Sequence, residues 1–309
     1  MTIDFSPKHD TLIWYEDGSL LPMDEPHYVA KKIAEDTWQI ASSGDYHYLV
    51  AGDDEGIAID TGYGAGNLRE YLEELCGKPV RRCINTHFHF DHSANNPYFD
   101  IVYGSEEDAP KACQAWMYPS FNGIEFPRDY ESVIVGDGDI VPLKGRDLEI
   151  FRIGDHTAGG IAILDRKARL LFTGDEFMGF GKMIGMGTQR FADNMDKLMK
   201  VRNEFDTICG GPDMADAEIV DIFDEAAHLI LEGKRSEKPE QGKRMEMKLP
   251  VVEGKTVYHW KSPHPEDRPG SRPQDKKDET KDPEKVLGSR EHSRGFDCLI
   301  HKGYTFMIK

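Results

Sequence analysis

Between residues 28 and 60 the chain alternates short apolar runs with turn-forming residues. Segments 28–33, 38–41, 46–51 and 56–59 carry β-branched and aromatic side chains. Ser42-Ser43-Gly44-Asp45 and Gly52-Asp53-Asp54-Glu55-Gly56 separate them. This pattern predicts four strands joined by tight turns. The period then changes: Leu68, Leu72 and Leu75 recur at helical spacing and predict a helix over 65–76. A short strand is expected over 80–85, a helix start at Ser93-Ala94-Asn95-Asn96, a strand ending near 104 and a helix near 105–116. Three strands are expected over 147–175, then helices over 191–203 and 213–233.

The pattern fails after residue 233. Residues 234–295 are rich in Lys, Glu, Asp, Arg and Pro, and 262–295 hold almost no apolar side chains, so that stretch is expected to be poorly ordered. Apolar positions return at 296–309, which read as a hairpin turning at Lys302-Gly303 and expected to rejoin a sheet. The organisation expected is one globular unit over 1–233, a charged excursion over 234–295 and a C-terminal hairpin over 296–309.

The densest chemistry lies directly after the strand expected at 80–85. Residues 86–92 read Thr-His-Phe-His-Phe-Asp-His. On an extended segment, residues two apart share a side, so His87, His89 and Asp91 can converge, and a turn after Asp91 swings His92 to a second point. A single His or Asp here would be a packing or capping residue. Four imidazole and carboxylate groups in this order, at the C-terminal end of a strand, are metal-ligand chemistry.

The run resembles the His-x-His-x-Asp-His signature of the metallo-β-lactamase superfamily, and three further motifs follow that family's order. Ile59-Asp60-Thr61-Gly62 resembles its first motif, in which the Asp orients the histidine cluster. Gly154-Asp155-His156-Thr157-Ala158-Gly159-Gly160 resembles the third, making His156 the third His of a first metal site. Leu171-Phe172-Thr173-Gly174-Asp175 resembles the fourth, making Asp175 a bridging carboxylate. The resemblance covers roughly residues 28–232. It implies an α/β (α+β) fold of αββα sandwich type, two packed mixed sheets with helices on the outer faces. It also implies one or two Zn²⁺ per chain, held by His87, His89 and His156 and by Asp91, His92 and Asp175.

One position departs from that family's pattern. Where a His in a Pro-Gly-His-Gly-like turn usually completes the second metal site, this chain reads Cys209-Gly210-Gly211-Pro212-Asp213, with Gly211 at the aligned place. Asp213 is either a carboxylate substitute for the sixth ligand or the N-cap of the helix expected over 213–233. A weak, altered or empty second site is the expectation.

Composition narrows the substrate. The 309 residues carry 56 acidic against 38 basic side chains, a net charge of −18. A nuclease needs a basic field to hold phosphates, so nucleic acid is not an expected partner. The N-terminus lacks the apolar core of a signal peptide, and no apolar run approaches the length of a membrane span. Cys76, Cys83, Cys113, Cys209 and Cys298 are scattered without a CxxC pair and fit reduced thiols in a cytoplasmic protein. Two loops carry aromatic and Met side chains suited to a partly apolar small molecule: Trp116, Tyr118, Phe121, Phe126 and Tyr130, and then Phe177, Met178, Phe180, Met183 and Met186. The same residues suit ordinary core or an interface in a homodimer.

The activity implied is metal-assisted hydrolysis. Zinc lowers the pKa of its water to about 7, so hydroxide is available to attack an ester, lactone, thioester or amide-type carbonyl. Asp91 would orient that nucleophile and carry its proton. Two other classes remain. A site reduced to one iron resembles the persulfide dioxygenases of the same superfamily, since two His and one carboxylate is an iron(II) pattern. A member that keeps its ligands without turnover would be a metal-binding or sensing protein.

Overall fold

A computed structural model describes residues 11–14, 20–22, 28–41, 46–64, 66–113, 128–177, 181–211, 214–237, 253, 256–259 and 297–308. Two short strands come first, β1 (Thr11–Trp14) and β2 (Leu20–Pro22), paired antiparallel. The first large sheet follows. Its strands are β3 (Val29–Ala34), β4 (Thr37–Ala41), β5 (Tyr46–Ala51), β6 (Gly56–Ile59), β7 (Arg82–Ile84), β8 (Ile101–Gly104) and β9 (Glu131–Ile134), adjacent in that order. The first four pair antiparallel, and β6 to β9 run parallel.

The second large sheet is built from β10 (Ile140–Leu143), β11 (Arg146–Arg152), β12 (Ile161–Asp165), β13 (Leu170–Gly174), β15 (Thr207–Gly210) and β16 (Met214–Asp216), again in that order. The intervening β14 (Gly181–Ile184) leaves this sheet. It pairs parallel with β19 (Tyr304–Ile308), which forms a hairpin with β18 (Asp297–His301). A last strand, β17 (Thr256–His259), lies parallel to β1 and falls within the charged stretch. The rest of 238–296, apart from residue 253, is outside the described residues.

Alternation along each strand builds the layers. On β5, Tyr46, Tyr48 and Val50 face the second sheet, where Tyr48 meets Phe172 edge-on at 5.1 Å between centroids. Leu49 points the other way, toward Leu68 and Leu72 of helix α1 (Leu68–Cys76). Every residue of β5, β6, β12 and β13 is buried because both faces of these central strands are covered. On the far side, α3 (Thr188–Met199) and α4 (Glu218–Leu231) cover the second sheet. Phe191, Leu198, Phe223 and Ile230 pack there with Leu299, Phe306 and Ile308 of the terminal hairpin. Each such Leu or Phe contributes roughly 1.5–3 kcal/mol through burial. The two mixed sheets packed face to face with helices outside are the expected sandwich. A single turn of α-helix near the site, α2 (Phe90–Ser93), lies between α1 and α3.

Local chemistry sets the helix ends. Asn67 caps α1 by accepting from Glu70 N at 3.3 Å, and Gly77 ends it in the left-handed region with φ of 67°. Three sequence expectations differ from the structure. Where a helix was expected to start at Ser93, a single helical turn, Phe90–Ser93, ends instead. The helix expected over 105–116 is only a short 3₁₀ turn, Ala109–Lys111, and residues 114–116 lie outside the described set. Pro110 lacks the N–H an α-helix needs there and disfavours helical backbone at Ala109. The helix expected from 213 begins at Glu218, since Met214–Asp216 pair with β15 as a sheet edge. Ala217 stands at its N-cap position, and the Asp216 carboxylate before it accepts from Glu218 N at 2.9 Å.

Candidate metal centre

The motif residues gather at one rim of the sandwich, where β6, β7, β13 and β15 end. Asp60 follows β6 in the left-handed region, φ 58°, a conformation Asp tolerates better than most residues. Its carboxylate turns back across the sheet. Oδ1 accepts from Thr86 N at 2.7 Å, and Oδ2 accepts from Thr86 Oγ1 at 2.7 Å and from His92 Nδ1 at 2.9 Å. Thr86 Oγ1, having donated to Asp60, lies 3.0 Å from His87 Nδ1 and can accept its proton. That chain of donors fixes Nδ1–H on both His87 and His92. The Nε2 lone pairs of both rings are left for a ligand.

Three imidazoles then converge. His87 Nε2 and His156 Nε2 each lie 3.0 Å from His89 Nδ1. His87, His92 and Asp175 form a second grouping that shares His87; in each grouping the ligand atoms lie within 4.8 Å of one another. His92 Nε2 and Asp175 Oδ1 are 3.4 Å apart, and both are buried without a hydrogen-bond partner among the described residues. Asp91 is buried too and belongs to neither grouping; its Oδ1 also lacks a partner.

Electrostatics favour a cation here. Burial, followed by the charge of the neighbouring histidines, holds the His87 imidazole well below its ordinary pKa. Burial and His156 push His89 down to about 4. Burial lowers His156 against the pull of Asp175. These rings are therefore neutral at neutral pH and can offer lone pairs to a metal ion. His92 behaves oppositely: burial disfavours its cation, but Asp175 and Asp60 outweigh burial and raise its pKa, so a metal ion at Nε2 would displace a proton there. Asp175 is kept below the usual carboxylate range, burial being overcome chiefly by His92. A crowd of neutral imidazoles beside an ionised carboxylate, with orphaned buried atoms, suits a divalent metal ion.

Gly211 lies where a sixth ligand was expected to be missing. A Cβ placed on it would fall inside contact distance of Asp175 Oδ1 and 2.7 Å from His92 Cε1. Its carbonyl accepts from Tyr46 N at 2.7 Å, and its N–H donates to Gly174 O at 2.9 Å, so the backbone is held against the site. Asp213, the alternative ligand, lies outside the described residues.

The loop that carries His156 is clamped from two sides. Glu176 Oε1 accepts from Asp155 N at 2.8 Å and His156 N at 2.9 Å. From the first sheet's side, Asp108 accepts from Thr157 Oγ1 at 2.5 Å and from Gly159 N at 3.2 Å. Thr86, Asp108, Glu176 and Lys182 were not singled out from the sequence. The available signal was adjacency, since Thr86 precedes His87 and Glu176 follows Asp175.

Of the pocket residues expected from sequence, Trp116, Tyr118, Phe121, Phe126, Met178 and Phe180 lie outside the described residues. Phe177, expected at the pocket, is buried in the helix-side core, its ring 5.1 Å from Phe223. Tyr130 packs beside Cys113, 3.6 Å from its Sγ, on the outer side of the first sheet. Met183 is half-buried on β14, and Met186 is exposed.

The sequence profile of the metallo-beta-lactamase superfamily matches residues 46–185, a span that includes every ligand candidate except those beyond β14. Residues 46–185 belong to the metallo-β-lactamase superfamily. Solved members share its fold. A metallo-beta-lactamase from Pontibacter korlensis superposes with a TM-score of 0.51 at 16% identity, covering 65% of this chain and 99% of that one. FIM-1 from Pseudomonas aeruginosa, in its mono-zinc form, superposes at 0.51 and 17% identity, covering 68% and 98%. Among curated relatives, the acyl-coenzyme A thioesterase MBLAC2 of Homo sapiens is 27% identical over 158 residues, 41% of this chain and 56% of that protein. A hydroxyacylglutathione hydrolase of Maricaulis maris is 27% identical over 141 residues, 45% and 50% respectively. The chain spans about half the length of the curated relatives it matches.

Proposed function

We propose that the protein is a metal-dependent hydrolase that cleaves the thioester of a small acyl donor. The observation that carries this reading is the convergence of His87, His89 and His156 as neutral imidazoles beside the ionised Asp175. The substrate class is supported by relatives named as an acyl-coenzyme A thioesterase and a hydroxyacylglutathione hydrolase.

His87, His89 and His156 would hold one metal ion, with Asp175 alongside. A zinc ion there would polarise the carbonyl and acidify its water. The remaining tasks fall to the chain. Asp60 and Thr86 keep the His87 lone pair directed at the site. Asp91, with a buried unpartnered Oδ1, takes a proton from the attacking water and gives it to the departing sulfur. The acyl carbon gains the water oxygen as its C–S bond breaks, so an acid and a thiol leave. With Gly211 offering no side chain, a second ion would have His92 and Asp175 and would have to share His87 with the first. We infer one tightly held metal per chain.

Metal content and thiol release from acyl-coenzyme A and acylglutathione test this together. The expected result is zinc at about one equivalent and cleavage that stops on chelation. A metal-replete protein inert toward both thioesters contradicts it. Iron in place of zinc, with oxygen consumed, would favour the one-metal oxidoreductase that the Gly211 departure also suits.

A further inference from the structure

Lys182 lies on β14, and it is buried to 3% exposure. A lysine ammonium loses several kcal/mol of hydration on burial, so its partners matter. It has two. Nζ pairs closely with Glu176 Oε2 and lies 3.3 Å from Asp155 Oδ2; both carboxylates are as buried as the lysine. Their places in the chain set this trio apart from an ordinary core ion pair. Glu176 directly follows Asp175, and Asp155 directly precedes His156.

Each carboxylate also holds backbone. Glu176 Oε1 accepts from Asp155 N and His156 N, which pins the start of the His156 loop. Asp155 accepts from Met186 N at 3.0 Å and from Gly185 N at 3.3 Å, which pins the exit of β14 against that loop. The packing leaves no slack: a Cβ on Gly160 would lie 2.8 Å from Glu176 Oε1, and one on Gly154 would lie 2.6 Å from Thr157 O. Lys182 is opposite Phe306 in the parallel pairing of β14 with β19, and Phe306 is fully buried in the helix-side core. The C-terminal hairpin thereby fixes the strand that carries the ammonium.

We propose that Lys182 is a positioning residue for the metal centre: by joining Glu176 to Asp155 it sets the separation of Asp175 from His156. This rests on the metal-centre reading above. Without the ammonium, two buried carboxylates face each other uncompensated, and the segments bearing the two ligands are driven apart. A ligand displaced by a fraction of an ångström weakens its metal bond and alters the coordination geometry.

The test uses full-length protein, stripped of metal and titrated with cobalt(II). Its affinity is read by competition with a chromogenic chelator, and its geometry by visible absorption. Lys182→Met removes the charge at similar length. Glu176→Gln keeps the acceptor for the two backbone N–H groups and removes the negative partner; it decides the matter if Lys182→Met does not fold. Asp165→Asn, in a buried ion pair remote from the site, reports what lost stability alone does. The expected result is ~10–100-fold weaker cobalt binding and a shifted spectrum in both site variants, with wild-type affinity and spectrum in Asp165→Asn. Unchanged affinity and spectrum in the site variants would overturn the proposal and leave the metal-centre reading standing. Failure of the wild-type protein to bind cobalt would overturn that reading and this proposal with it.

Discussion

Asp60 serves two histidines with one carboxylate: His92 directly, and His87 through the Thr86 hydroxyl. Replacing it by Asn keeps the shape but presents an amide that donates where an acceptor is needed. Asp60→Asn is expected to weaken zinc affinity ~10–100-fold with the chain still folded, as read by chelator competition and circular dichroism. An unchanged affinity would reduce Asp60 to a turn residue. Gly211 makes the opposite demand, since any side chain there meets Asp175 and His92. Gly211→Ala should weaken metal binding at least tenfold, about 1.4 kcal/mol, because Asp175 must move to admit the methyl. Wild-type binding in that variant would show that the site has room. Much of this constellation was legible because residues 86–92 put four donor groups in one local run, and the other motifs recur in a known order. Lys182 was not legible, because its partners lie six and 27 positions away and only folding brings them together. The missing sixth ligand was readable as a letter, Gly211, but not as a backbone pressed against two site residues.

At the scale of elements, the far end of the sandwich is held by one arginine. Arg146 on β11 reaches across to the first sheet. It donates to Glu35 O at 3.0 Å, Asp36 O at 3.1 Å and Thr37 Oγ1 at 2.7 Å while pairing closely with Asp165 at the end of β12. The pair is almost fully buried. Asp165→Asn leaves the guanidinium uncompensated and should cost ~3–5 kcal/mol in denaturant unfolding, with metal affinity unchanged. A loss below 1 kcal/mol would mean that the backbone carbonyls suffice. The first four strands of the first sheet were readable as short apolar runs separated by turns that carry Gly, Asp and Ser, and two of them, β5 and β6, are buried on both faces. The strand Met214–Asp216 was not readable: three residues are too few to show a period, and pairing with β15 overrides the helical pattern that follows. Nor was the pairing of β1 with β17, whose residues lie about 245 positions apart in sequence and share no local signal.

For the molecule as a whole, the metal is expected to contribute to stability as well as chemistry, because its ligands come from both sheets. A ligand present at 100 times its Kd adds about 2.7 kcal/mol. For a chain of this size that corresponds to a fall in Tm of roughly 5–10 °C on chelation, seen by calorimetry. A Tm that does not respond to chelator would mean that the histidine cluster binds no metal strongly. No described helix is long and apolar enough to cross a membrane, and the acidic surface implied by a net charge of −18 opposes polyanion binding. The most direct measurement is a zinc titration of the stripped protein, with bound metal and thiol release from an acyl thioester followed in the same sample. Cleavage should be absent at the start, rise with bound zinc and level off near one equivalent per chain. Thioester cleavage that proceeds undiminished in the stripped protein, or stripped protein that takes up zinc without gaining any cleavage, would contradict a metal-driven hydrolase.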